Sequence, residues 1–213
     1  MNEWNWNGAR WWKFDFHAHT PKSDDYGKNS PQQTELKARS PREWLLDYMR
    51  AGVDCVAITD HNSGAWIDAL KQELEALNRV QPEGYRSLHL FPGVELSVHG
   101  GIHMLAIFGP ATATSDIDTL LGAVGFPCAS KGKSDAVTTK AFSDVAAEIT
   151  RAGGIAIPAH VDNANGILQE LQGLTLQQAL DCKHIFAMEL VNPSYLKPQA
   201  YESSKLNWTE VIG

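Results

Sequence analysis

Two hydrophobic periods alternate along the chain and divide it into short strands and amphipathic helices. The aromatic run Trp11-Trp12-Lys13-Phe14 leads into a strand predicted over 12–16, and a loop rich in Pro, Ser, Asp and Gly follows over 20–33. Ser40-Pro41-Arg42-Glu43 announces a helix: Ser40 is suited to cap it, Pro41 fits the first helical position, and Glu43 completes a reciprocal cap. Trp44, Leu45, Tyr48 and Met49 form its apolar stripe, and Gly52 is its expected stop. The nearly continuous apolar run over 53–59 predicts a parallel strand covered on both faces. Helical spacing returns over 65–80, with Trp66, Ala69, Leu70, Leu74 and Leu77 on one side, before Pro82-Glu83-Gly84 breaks the chain.

A strand over 88–94 places Glu95 at its end, and Gly100-Gly101 turns the chain into another strand over 102–108. A short helix is predicted over 116–124 and a Gly-, Ser- and Lys-containing loop over 126–134. A helix over 140–152 and a strand over 154–159 come next, and His160 stands at that strand's tip. The remainder reads as a helix over 175–182, a strand over 185–190, a helix over 200–206 and a last strand over 208–212, for which the pattern offers no partner. Strand, polar residue, loop, helix is the recurring order. It predicts an α/β fold with its chemistry at the C-terminal ends of parallel strands.

At 213 residues the chain is long enough for one substantial core, so a single domain over 1–213 is expected. A formal charge of -7, from 25 acidic against 18 basic residues, argues against a broad electrostatic footprint for nucleic acid. It says little about a phosphorylated substrate, because bound cations reverse the local sign. Cys55, Cys128 and Cys182 are odd in number and widely spaced, and Cys55 lies in an apolar run, which favours a reduced, buried thiol. The opening Met-Asn-Glu-Trp-Asn-Trp-Asn-Gly is unlike a signal peptide, and no run approaches the roughly 20 apolar residues of a membrane span. A cytoplasmic location without a membrane partner is the expectation.

His17 and His19 are the sharpest local signal. Strand alternation places them on one face, where two imidazoles can hold one divalent ion or, alternatively, merely hydrogen-bond at a strand edge. Asp24 can reach an adjacent ion, with Asp25 as the neighbouring alternative. His61 follows the buried strand over 53–59, and Asp60 beside it is suited to accept from an imidazole or to shape the turn. A carboxylate at Glu95 can bridge two cations, which need negative charge between them. His103 is favoured over His99 because it opens the stronger apolar run, and packing alone gives no reason for His160 at its strand tip. His89 lies inside a strand and His184 just before one, so both read as structural or surface residues. No Gly-X-X-X-X-Gly-Lys-Ser/Thr loop and no nucleophile elbow is present, which excludes those nucleotide-binding and acyl-transfer designs. Lys131 and Lys133 are basic groups that can meet a substrate phosphate or simply be solvated.

Taken in order, these residues resemble the PHP family, named for polymerase and histidinol phosphatase domains. Asp15-Phe16-His17-Ala18-His19-Thr20 is similar to its first motif and Ala57-Ile58-Thr59-Asp60-His61 to its second. Pro92-Gly93-Val94-Glu95 with His103 resembles the third, and Ile157-Pro158-Ala159-His160 the fourth. The resemblance implies a distorted (β/α)7 TIM-like barrel holding two or three divalent ions, Zn, Mn or Fe, in its mouth. On that resemblance His17, His19 and Glu95 hold a first ion, Glu95, His103 and His160 a second, and Asp24 and His61 serve a third. It also implies hydrolysis of a phosphoester in a nucleotide, oligonucleotide or small phosphorylated metabolite, with His61, Asp24 and Glu95 nearest the chemistry. The different-class alternative is a metal-bound structural or regulatory module. The stretch from Arg10 to His17, with Ser23-Asp24-Asp25-Tyr26-Gly27-Lys28, resembles PHP modules that precede AAA-like or SMC-like ATPase regions. The family's late Gly-Ser-Asp-Ala-His motif has no match, so a barrel lacking its C-terminal strand or strands is expected.

Overall fold

The computed structural model describes residues 11–204 and 208–213. The opening octapeptide, and the end of the helix predicted over 200–206, lie outside the described residues. In chain order the elements are β1 (Phe14–Ala18), α1 (Gln33–Lys37), α2 (Pro41–Arg50), β2 (Cys55–Ile58), α3 (Ile67–Val80), β3 (His89–Val98), β4 (Ile102–Ile107) and α4 (Thr114–Ala123). They continue with α5 (Phe142–Arg151), β5 (Ile155–Pro158), α6 (Ile167–Glu170), α7 (Gly173–Leu180), β6 (Ala187–Leu190), α8 (Gln199–Glu202) and β7 (Thr209–Ile212).

Local chemistry accounts for the start of α2 as the pattern predicts. At α2 the Glu43 N–H donates to Ser40 Oγ at 3.3 Å, and the Glu43 carboxylate accepts from the Ser40 N–H at 2.8 Å. Gly52 takes φ +75° just past the helix, in the left-handed region that glycine enters without a Cβ clash. The short α1 and α6 have no counterpart in the sequence reading.

Five strands form one curled sheet in the order β1-β2-β3-β4-β5, and β6-β7 forms a second. β1, β2 and β3 pair in parallel, but β4 runs antiparallel to both β3 and β5. A uniform (β/α)7 succession is therefore not what these strands build. The hairpin at Gly100-Gly101, with φ +92° and +79°, reverses the chain without a crossover helix. The start of β4 thereby shares an edge of the sheet with the end of β3.

Two strand boundaries differ from the pattern for the same reason. β1 begins at Phe14 rather than at 12, because its ladder to β2 starts at Phe14↔Cys55. β3 extends to Val98 rather than stopping at 94, because β4 supplies partners through Val98↔Ile102. Glu95 is accordingly inside a strand, although it lies past the parallel ladder with β2, which ends at Ile58↔Pro92.

The last strand, which the pattern left unpaired, lies parallel to β6 in the register Ala187↔Thr209 to Leu190↔Ile212. An isolated bridge, Ala156↔Ile185, ties this pair to β5. Among the described residues no ladder joins β1 to β7. A cleft of about 570 Å³ runs there, lined by Phe14, Phe16, Val53 and Val211. The architecture is thus a half-barrel with helices outside.

The main core lies between the sheet and those helices, where Trp44, Leu45, Met49, Ile67, Leu70 and Leu77 are fully buried. A smaller cluster of Ala57, Leu105, Ile107, Ile157 and Ala159 fills the concave face. Cys55 and Cys182 are buried thiols and Cys128 is exposed. No described helix is long and apolar enough to cross a membrane.

Candidate metal centre

The concave face ends in a cluster of imidazoles around one carboxylate. Its first two members come from the end of β1. The β1–β2 register shifts between Asp15 and Ala18, so β1 carries an extra residue there, and the His17 N–H donates to Asp15 Oδ1 at 3.1 Å. Such a bulge re-aims the side chains that follow it. The His17 and His19 Nε2 atoms end 3.1 Å apart. The Trp44 indole of α2 holds the His19 carbonyl at 3.1 Å, which couples the outer helix to the site.

Glu95 occupies the centre and is about 1 % exposed. Its two oxygens face different partners. Oε2 lies 3.2 Å from His17 Nε2, 3.1 Å from His19 Nε2 and 3.0 Å from His61 Nδ1. Oε1 lies 2.8 Å from His103 Nδ1 and 3.1 Å from His160 Nε2. His103 reaches the cluster because the antiparallel β4 starts at this edge, while His99 is exposed at the turn. His61 also places Nε2 3.3 Å from Asp25 Oδ2.

Buried hydrogen bonds build the loops around the cluster. Asp60 accepts from the Thr20 N–H and hydroxyl, each at 2.6 Å, and from Ser23 Oγ at 2.9 Å. Ser23 Oγ in turn accepts from the His61 N–H at 3.0 Å. Asp60 therefore shapes the turn that carries Asp24 and Asp25. Asn62, at φ +48°, donates to Ser97 Oγ at 3.0 Å and to the Lys133 carbonyl at 2.9 Å. The glycine-containing loop after Phe126 is thus pinned beside His61.

A second carboxylate completes the arrangement. Glu189, on β6 and about 4 % exposed, lies 2.9 and 3.1 Å from His17 Nδ1 and accepts from the His160 N–H at 2.8 Å. No motif or spacing in the sequence marks it. A lone carboxylate inside the apolar strand over 185–190 is the signal that could have found it.

The electrostatics follow from burial set against close opposite charges. Burial alone would raise the Glu95 carboxyl, but His103, His160, His17 and His19 hold it well below its ordinary value. Burial disfavours a charged His17, yet Glu189 and Glu95 outweigh it and raise its pKa to about 10. His61 rises for the same reason, against burial and through Glu95 and Asp25. Burial raises Asp60 despite its hydroxyl and amide donors.

These residues fit divalent cations on the chemistry of the donor set. Three groupings bring ligand atoms within 4.8 Å of one another: His17, His19 and Glu95; His19, Asp25 and His61; and His61, Glu95 and His103. Buried atoms within them, including His61 Nδ1, His103 Nδ1, Glu95 Oε2 and Asp25 Oδ1, have no hydrogen-bond partner of acceptable geometry. His61 Nδ1 and Glu95 Oε2 are 3.0 Å apart and still misaligned for a hydrogen bond. Two ligands on one tetrahedral ion, each at about 2.0–2.1 Å, stand about 3.3 Å apart, close to the spacings found here.

Of the residues singled out in the sequence, His17, His19, His61, Glu95, His103 and His160 meet in one cluster and line one cleft of about 320 Å³. Asp24 is exposed instead, its Oδ1 accepting from the Ser134 N–H at 3.3 Å, while Asp25 faces His61. His89 packs edge-on against Trp12, with ring centroids 5.4 Å apart. Lys131 pairs with Asp118, and Lys133 is exposed.

No family model and no curated protein sequence matches the chain. Solved structures do. A candidate metal-dependent phosphoesterase from Bifidobacterium adolescentis superposes over 90 % of this chain and 81 % of its own, at a TM-score of 0.55 and 18 % identity. An amidohydrolase from Chromobacterium violaceum, with bound sulfate and no metal, covers 93 % and 88 % at a TM-score of 0.51 and 18 % identity. A lesion-specific endonuclease from Pyrococcus furiosus covers 83 % of this chain but 41 % of its own, at 0.52 and 19 %. Endonuclease Q in complex with a 27-mer duplex carrying an abasic lesion aligns comparably, at 0.51 and 19 %. At these identities the likeness establishes a shared fold.

Proposed function

We propose that this chain is a metal-dependent phosphoesterase of the PHP type, acting on a nucleotide or oligonucleotide. The observation that carries the reading is the divided environment of Glu95, whose Oε2 faces His17, His19 and His61 while Oε1 faces His103 and His160. A buried carboxylate with imidazoles on both oxygens suits a bridge between two cations. Ions held by these residues would supply a nucleophile from water near neutral pH and polarise a phosphoryl oxygen. Zn, Mn and Fe all accept this mixture of nitrogen and oxygen donors.

The chain's own groups divide the remaining work. Glu95 supplies the negative charge that a multi-cation site needs. Asp25 with His61 and His19 extends the donor set, and these residues would hold a further cation able to offset charge on a leaving oxygen. Asp24 was the carboxylate expected in that role, and its bond to Ser134 supports giving it to Asp25 instead. Asn163 lines the cleft, and with its Oδ1 accepting from the Ala164 N–H its amide nitrogen is suited to a phosphoryl oxygen, while the Asn165 amide is bonded to the Gly101 carbonyl. Lys22 and Lys133 are exposed on segments that bond one another through the Asp24 N–H and the Gly132 carbonyl at 3.0 Å. Backbone and side-chain bonds tie these segments to His61 and Asn62, which suits the two lysines to a flanking phosphate of an oligonucleotide. The shared fold with an endonuclease that binds duplex DNA supports this substrate class. The structural likenesses give no support to an adjoining ATPase region.

The test is hydrolysis by purified protein loaded with Zn²⁺ or Mn²⁺. Bis(p-nitrophenyl) phosphate, p-nitrophenyl phosphate, and short single-stranded and duplex oligonucleotides are compared. Metal-dependent turnover that favours diesters and is abolished by chelation is expected. Preference for the monoester would move the reading to a metabolite phosphatase, and bound metal with no turnover on any phosphoester would overturn it.

A further inference from the structure

We propose that Glu189 is a positioning residue for the metal centre, a clamp that sets the ring of His17 and the backbone of His160 together. The inference rests on reading the site as a metal centre and adds a residue that the sequence motifs do not mark. Glu189 lies on β6, 172 residues from His17, and receives His17 Nδ1 on both oxygens at 2.9 and 3.1 Å. Holding Nδ1 on Glu189 aims the other ring nitrogen, Nε2, at Glu95 and His19, so that Nε2 is the atom that would meet a cation once its proton is displaced.

The same carboxylate accepts from the His160 N–H at 2.8 Å. His160 has φ +31°, in the left-handed region that a residue with a Cβ rarely enters, and such a conformation persists only where its surroundings hold it. The Glu189 side chain holds the His160 N–H itself, between backbone bonds made by Ala159 and Val161 on either side. A backbone bond from the Val161 N–H to the Glu189 carbonyl, at 2.8 Å, ties the residue after His160 to β6, whereas β1 and β6 belong to different sheets and share no such ladder among the described residues. A side-chain carboxylate therefore spans the seam between the first strand and the second sheet.

The test measures zinc binding and ring chemistry rather than turnover. Zinc affinity of wild type, Glu189→Ala and Glu189→Gln is determined by chelator competition. His17 is followed by long-range ¹H–¹⁵N NMR, and folding by circular dichroism. Glu189→Ala is expected to bind zinc roughly 10–100-fold more weakly and to shift the His17 nitrogens, while the His103 signals stay in place. Glu189→Gln retains the shape and one acceptor oxygen, and is expected to fall between wild type and Ala. Should the Ala variant not fold, the Gln variant decides.

Wild-type affinity with an unmoved His17 spectrum in a folded variant would overturn the clamp. So would loss of one whole zinc equivalent with His17 unchanged, since Glu189 would then be a ligand itself. A wild-type protein that binds zinc without hydrolysing phosphoesters defeats the proposed activity alone and leaves the clamp standing.

Discussion

The two faces of the curled sheet are built unequally. On the convex face, helices seal a continuous core in which Leu45, Ile67, Leu70 and Leu77 have no exposure. On the concave face the buried apolar cluster among the described residues is the small set Ala57, Leu105, Ile107, Ile157 and Ala159, while Phe14, Phe16, Phe91 and Val211 are partly covered, three of them along the open cleft. Hydrophobic burial scales with the apolar area removed from water, so the convex core carries most of the fold's stability. The concave face ends instead in buried polar groups, which burial alone would penalise and which suit cations. Stability and chemistry are thus assigned to opposite faces of the same strands.

Substitutions that affect one face and spare the other test that separation. The largest effect is expected at Glu95→Ala. It removes the group shared by both imidazole sets and should lower zinc content at least about 100-fold on chelator competition, with His89→Ala as an unaffected control. Equal zinc retention in both variants would refute the site. On the convex face, Leu70→Ala should cost about 2–5 kcal/mol in denaturant unfolding. Below its transition the same variant should keep the wild-type zinc stoichiometry, and loss of zinc from the folded variant would show the two faces to be coupled.

Acidity provides a graded test. With His17 raised to about 10, the metal-free protein carries a protonated imidazole at neutral pH. Zinc must displace that proton, so its affinity should fall as pH is lowered from 8.5 to 6.5, and proton release should appear in calorimetry run in buffers of different ionisation heat. In the metal-free protein the sign is reversed. The stabilisation from protonated His17 is complete below its ordinary pKa of 6.5 and is lost as pH rises through about 10. A pH-independent zinc affinity would contradict a His17 charged by Glu189 and Glu95.

Smaller effects follow away from the centre. Asp25→Asn should weaken the loading of the outermost ion more than Asp24→Asn, measured as the last zinc equivalent retained, and the opposite order would restore Asp24 to that role. Least of all, Ser40→Ala removes the α2 cap and should cost about 1 kcal/mol without changing zinc content.

Much of this was legible in the chain itself. The α2 start depends on atoms three residues apart, so Ser40, Pro41 and Glu43 announce it without reference to any other segment. His61 and His160 each follow an apolar strand, and His17 with His19 follows from alternation, so the pattern places them at strand tips where chemistry gathers. The choice of Asp25 over Asp24 needed the Asp60–Ser23–His61 hydrogen bonds, which join segments roughly 37 residues apart. Glu95 inside β3 rather than at its end, and His103 at the same edge, both depend on the antiparallel course of β4.

The amino-acid order by itself determined the alternating elements, the α2 cap and the polar residues at strand ends, because each rests on contacts within a few residues. Tertiary structure alone decided the reversed strand, the seam between β1 and β7, and the meeting of Glu189 with His17. Pairing partners far apart in the chain are selected by how the whole sheet buries its faces, and no local period records that choice.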